Sequence, residues 1–99
     1  MIRHIVMWDF KDELTHQDKL EAAQKMKDSL EKLKDEVSGV IELEVIIQSL
    51  ATSNADLMLY SSFESEKHLE IYQNHPKHRL AGQFISSVTV NRRCVDYMI

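Results

Sequence analysis

Residues 2–10, IRHIVMWDF, alternate so that Ile2, His4, Val6, Trp8 and Phe10 share one face and Arg3, Ile5, Met7 and Asp9 the other. A period of two with β-branched and aromatic residues predicts a strand, and here both faces are largely apolar. Such a strand needs a covering layer on each side, which narrows the possible architectures more than any other feature of the chain.

The following segments say what one of those layers is. Thr15 and Asp18 resemble a capping box, so a helix is expected to start near Thr15. Leu20, Ala23, Met26, Leu30, Leu33 and Val37 form one apolar stripe, and Ser38-Gly39 end the helix, with Gly39 able to adopt the left-handed conformation. Period two returns over 40–48, placing Ile41, Leu43, Val45 and Ile47 on one face and Glu42, Glu44, Ile46 and Gln48 on the other. After the polar connection SLATSNAD, Leu57–Phe63 reads as a third strand, antiparallel to the second. Ser65-Glu66 open a helical segment through Leu69 and Tyr72 that is interrupted at His75-Pro76. Proline is favoured in a first helical turn, so a new helix begins at Pro76 and runs through Leu80, Phe84 and Ile85. The last strand is expected over roughly Asn91–Met98.

The order β-α-β-β-α-β is that of a ferredoxin-like α+β fold, a four-stranded antiparallel sheet with two helices on one face. The helices leave the second apolar face bare. A homodimer with its sheets packed face to face is the expected solution, with Glu42 and Glu44 at a rim or edge.

At 99 residues the chain is expected to form a single domain, 1–99. A net charge of −4 with dispersed basic residues argues against nucleic acid as partner. MIRHIVMWDFK carries charges throughout and is expected to be neither a signal peptide nor a membrane span. The single cysteine, Cys94, excludes an intramolecular disulfide and a zinc site built on several cysteines, and fits a reducing, cytoplasmic compartment. Within the apolar pattern CVDYMI it is expected to be a buried, inert thiol.

In IRHIVMWDFKDELT, LMLYSSFES, YQNHPKH and CVDY, covering nearly the whole chain, the sequence resembles the stress-responsive dimeric A/B barrel (Dabb) family. The specific part is His-Pro-x-His after a tyrosine, with a histidine on the first strand. The resemblance implies a homodimer whose two sheets close a barrel. It implies less about chemistry, since some relatives are linked to stress responses and a few are enzymes. Against the family's polyketide cyclases, which close a linear chain by an intramolecular aldol condensation, it implies His78 as base, Tyr72 as its partner and His4 in the pocket. Pocket tyrosine and histidine positions of those enzymes fall on Met26 and Leu57 here, and Arg79-Leu80-Ala81 replace a Val-Gly-Phe. The candidate site is therefore catalytic His78 and Tyr72, with His4, Met26, Leu57 and His75 as ligand-binding positions.

The residues support a chemical reading independently. In the first turn of a helix starting at Pro76, His78 is near the positive end of the dipole, which disfavours imidazolium and leaves a neutral proton acceptor. Tyr72 could donate to a developing oxyanion. Structural readings stand beside this: His75 as a helix cap, His78 bonded to a strand carbonyl, Tyr72 as core, His4 as a satisfied core histidine. His16 and His68 are expected in solvent. His75 and His78 have the spacing to share an ion, but no carboxylate or cysteine completes the set, so no metal is expected. Two glycines and no glycine-rich loop leave no nucleotide cradle, and no cofactor is expected. Three functions follow: a binding protein for a small apolar or aromatic ligand, a cofactor-independent cyclase- or isomerase-like enzyme, or a structural dimerisation module.

Overall fold

A computed structural model describes residues 1–99. Its elements are β1 (Ile2–Phe10), α1 (His16–Glu31), α2 (Leu33–Glu36), β2 (Val40–Ile46), β3 (Leu57–Phe63), α3 (Glu66–Asn74), α4 (Pro76–Val88) and β4 (Thr89–Met98). The strands form one antiparallel sheet in the order β2-β3-β1-β4, the ferredoxin-like arrangement, with the helices on one face.

Helix starts follow the capping chemistry. The Thr15 hydroxyl accepts from the Asp18 N–H at 3.1 Å, and the Asp18 carboxylate accepts from the Thr15 N–H at 3.0 Å. One continuous helix to Val37 was expected, but it splits at Lys32. Lys32 keeps helical dihedrals (φ −58°, ψ −31°), so the split is a slight unwinding that leaves Leu33 and Val37 buried. Leu20 is not part of the buried stripe: it is 53% exposed, because the helix meets the sheet through Ala22, Ala23, Met26 and Leu30.

Along β1 the alternate residues Ile2, His4, Val6 and Trp8 are buried beneath the helices. Leu57, Leu59, Ser61 and Phe63 of β3 and Leu43 and Val45 of β2 continue that layer. A bulge between Val40 and Glu42 shifts the register at the start of β2, so Val40 rather than Ile41 packs on the core. Glu42 and Glu44 are exposed on an edge strand, and Glu42 accepts from Ser62 and from Arg3. The β2 edge is partly covered: Glu31 accepts the Val45 N–H at 2.9 Å while Lys27 donates to the Val45 carbonyl at 2.8 Å.

The opposite face carries Ile5, Met7, Met58 and Tyr60, which are half-buried, and Val95 and Tyr97, which are exposed. Cys94 is also exposed, contrary to the sequence expectation. It lies on the helix side of β4 opposite Val6, but β4 is an edge strand and is exposed beyond Thr89.

Gly39 has φ +83°, as its helix-ending position requires. His68, expected in solvent, is half-buried against it, with Nδ1 on the Ser65 hydroxyl at 2.8 Å. A Cβ at Gly39 would fall 2.6 Å from the His68 Cβ, so both backbone strain and steric overlap oppose a side chain there. Gly39→Ala should therefore lower stability by about 2 kcal/mol in urea unfolding. An unchanged midpoint would refute the packing of α3 on this turn.

Candidate functional site

A cavity of about 260 Å³ lies between α4, β1 and the first residues of β4. Its wall includes His4, Trp8, Tyr72, His78, Asn91 and Arg92, with Leu30, Leu59 and Ile85 supplying apolar surface.

His78 is placed by the break between the two C-terminal helices. His75 caps α4 by accepting the Lys77 N–H at 3.2 Å, and Pro76 occupies the first turn. The His78 side chain folds back so that Nδ1 lies 3.2 Å from the Gln73 carbonyl, one of those left free at the end of α3. That carbonyl can only accept, so Nδ1 carries the proton and Nε2 of the neutral ring keeps its lone pair. The partner is a helix carbonyl, so the expected alternative of a bond to a strand does not occur. Burial holds the His78 imidazole below its ordinary pKa, opposed by the Gln73 bond and assisted by His4, Arg92 and His75. Desolvation thus leads, where the sequence argument relied on the helix dipole.

Tyr72 reaches the same cavity from α3. Its ring packs at a tilt 5.0 Å from Phe63 and 4.4 Å from His78, measured between centroids, and it is fully buried. Its hydroxyl has no hydrogen-bond partner. Burial raises the phenol far above its ordinary pKa, against the opposing charge of Arg92, so it is a donor throughout the physiological range.

His4 is 2% exposed. Its Nδ1 contacts the carboxylate of Asp96, the residue directly across the β1–β4 ladder. Cys94 Sγ lies 3.6 Å from the same nitrogen. The remaining candidates lie elsewhere. Met26 and Leu57 are fully buried core residues outside the cavity wall, which is reached instead by Leu30 one turn further along α1 and by Leu59 two residues further along β3. His75 is a cap and does not border the cavity.

Asn91, Arg92, Asp96 and Cys94 were not singled out as site residues by the sequence. Asn91 has φ +56° in a bulge where Asn91 and Arg92 oppose Trp8 alone, and its amide donates to Asp9 at 3.1 Å. An asparagine just before paired arginines was the available signal, since asparagine tolerates that conformation. The proximity of Asp96 to His4 is a matter of register across 92 residues, and local patterning does not reveal it.

A four-stranded antiparallel sheet with helices on one face defines the ferredoxin-like α+β class. The chain belongs to the stress responsive A/B barrel domain (Dabb) family, whose model matches residues 2–99. It is similar to a dimeric protein of unknown function with a ferredoxin-like fold from Bacteroides fragilis (28% identity, 99% of this chain and 95% of that one, TM-score 0.92). A dimeric ferredoxin-like protein of unknown function from Thermobifida fusca is also similar (26%, 99% and 90%, TM-score 0.82). The hydroxynitrile lyase of Passiflora edulis shares the fold (14%, 99% and 92%, TM-score 0.75). No curated protein matches the sequence.

Two predictions follow from this geometry. A buried hydroxyl without a partner costs about 1–3 kcal/mol, so Tyr72→Phe should raise the stability of the ligand-free protein by about 1 kcal/mol in urea unfolding. A loss of stability would mean that the hydroxyl is bonded. For His78, the unfolded chain titrates near 6.5 and the folded one lower, so the unfolded chain binds more protons as pH falls through that window. The His78 contribution to stability is fully present above pH 6.5 and is lost as pH falls through the folded value. His78→Gln should flatten the difference in urea midpoint between pH 7 and mildly acidic buffer; an identical slope would contradict the assignment.

Proposed function

We propose that this protein is a homodimer that binds a small apolar or aromatic ligand carrying an acceptor oxygen, held by Tyr72 in the cavity it shares with His4 and His78. The observation that carries this reading is the Tyr72 hydroxyl, buried without a partner on a residue that lines the cavity. A buried donor without an acceptor is rare in a folded protein, and a ligand oxygen would satisfy it. Arg92 adds positive charge, so a carboxylate or enolate suits the site better than a neutral carbonyl. Size narrows the class further: an engineered cavity of about 150 Å³ accepts benzene, and 260 Å³ therefore suits a single ring with a short substituent.

Gly82 supports the same reading. It borders the cavity from within α4, and a Cβ there would meet nothing within 4 Å. Glycine in a helix interior costs about 1 kcal/mol relative to alanine, and here no packing requires it. Isothermal titration with benzoate should show one site per chain. Gly82→Leu should fill the cavity and abolish binding while the fold is kept, and Tyr72→Phe should weaken binding by roughly fivefold, the equivalent of one hydrogen bond. A wild type that binds neither benzoate nor other single-ring acids would favour the structural dimerisation module.

A second reading is enzymatic. The Nδ1 bond to Gln73 leaves His78 Nε2 as the acceptor, and the ring packs against Tyr72. Base and oxyanion donor are the minimum for proton abstraction beside a carbonyl, as in a cofactor-independent cyclase or isomerase. Buffer-catalysed exchange of α-deuterium from a bound aryl ketone acid, accelerated by wild type and not by His78→Gln, would select this reading over binding alone.

Dimerisation is supported by the apolar residues Ile5, Met7, Met58, Tyr60, Val95 and Tyr97 on the uncovered sheet face and by the dimeric relatives. Sedimentation equilibrium at micromolar concentration should give twice the mass of the chain, and a monomer would overturn this part. An exposed thiol without a partner cysteine fits a reducing, cytoplasmic setting. No helix is long and apolar enough to cross a membrane.

A further inference from the structure

We propose that His4, Cys94 and Asp96 form a binding site for a borderline-soft divalent cation of the zinc class. The site shares His4 with the neighbouring cavity but does not rest on a ligand there. The three residues come together because His4 lies directly across the ladder from Asp96, while Cys94 is two residues earlier on the same face of β4. One ligand atom from each falls within 4.8 Å of the others.

The spacing is close to what a tetrahedral ion demands. Zn–S of about 2.3 Å and Zn–N or Zn–O of about 2.05 Å require sulfur to sit about 3.5 Å from each of the other two ligand atoms. Cys94 Sγ is 3.6 Å from His4 Nδ1 and 3.4 Å from Asp96 Oδ1. Only the direct contact between Nδ1 and the carboxylate must open, to about 3.3 Å. Asp96, whose side chain is 42% exposed, has the freedom to do so, while His4 is buried in the core. Imidazole, thiolate and carboxylate together select zinc or cobalt over magnesium or calcium.

Loading balances simply. The Cys94 thiol loses its proton to solvent, and His4 binds the metal through Nδ1 with its ring proton on Nε2, any proton on Nδ1 leaving as the metal binds. Thiolate and carboxylate then neutralise the dication. Three protein ligands leave a fourth position for water or an exogenous atom, as in exchangeable rather than closed structural sites.

Cobalt(II) reports this directly, because a thiolate ligand adds a charge-transfer band and tetrahedral geometry intensifies the visible bands. Titration of the reduced protein with cobalt chloride should show one equivalent per chain with the sulfur band, displaced by zinc chloride. Cys94→Ser should remove that band. Asp96→Asn should weaken binding by more than the roughly 10- to 100-fold that changes behind a ligand cause. Both positions are exposed on an edge strand, and far-ultraviolet circular dichroism should confirm that the variants keep the fold. No sulfur band in wild type, or a band that survives in Cys94→Ser, would overturn the proposal. So would affinity unchanged in Asp96→Asn.

Discussion

The arrangement around the cavity depends on the break at His75-Pro76. Proline lacks the N–H that would have continued α3, so the carbonyls at the end of that helix need other partners. The Tyr72 carbonyl accepts the His75 N–H at 3.2 Å, and the Gln73 carbonyl is met by His78. The same residue that ends one helix caps the next, through a β-region conformation (φ −65°, ψ 136°). A straight helix would not present Gln73 to a side chain five residues on. The break therefore fixes the tautomer of His78 and sets its ring against Tyr72, which links a local backbone rule to the chemistry the cavity can offer.

A second constraint is the incomplete coverage of the sheet. The core fills the space between the helices and β2, β3 and β1, whereas β4 is shielded only at Thr89, where it leaves α4. That geometry leaves room beneath α4 for the cavity and leaves the far half of β4 open. The β4 bulge at Asn91 and Arg92 bends the strand where it passes the cavity, a common position for bulges. Polar groups on the helix side of β4 consequently stand where a continuous apolar layer would otherwise run, and His4, deep in that layer, finds its partner there.

Most of the fold was legible because its elements carry strong local signals. The Thr15 box, Gly39, Ser65 and Pro76 each mark a boundary through a hydrogen bond or a dihedral requirement, and the strands alternate clearly. Errors arose where tertiary placement overrides pattern. Leu20 continues the apolar period but overhangs the packed face, and Ile41 loses its inward position to a one-residue bulge. Cys94 sits in an apolar run and yet is exposed, because burial depends on what covers β4 and not on β4 itself. At the site, the Tyr-His segment was visible as a motif, whereas Met26 and Leu57 were drawn from the resemblance and belong to the core beside the cavity. Asp96 was illegible for a different reason: its proximity to His4 exists only in the register of two strands at opposite ends of the chain.

The central proposal is that the unpartnered Tyr72 hydroxyl serves a ligand in the cavity that Tyr72 lines. A crystal structure of the protein at atomic resolution tests it most directly. The account predicts ordered density in the space between α4, β1 and β4, either water or a small molecule, within hydrogen-bond distance of the Tyr72 hydroxyl. Side chains collapsed into that space, with the hydroxyl bonded to a protein carbonyl, would contradict it.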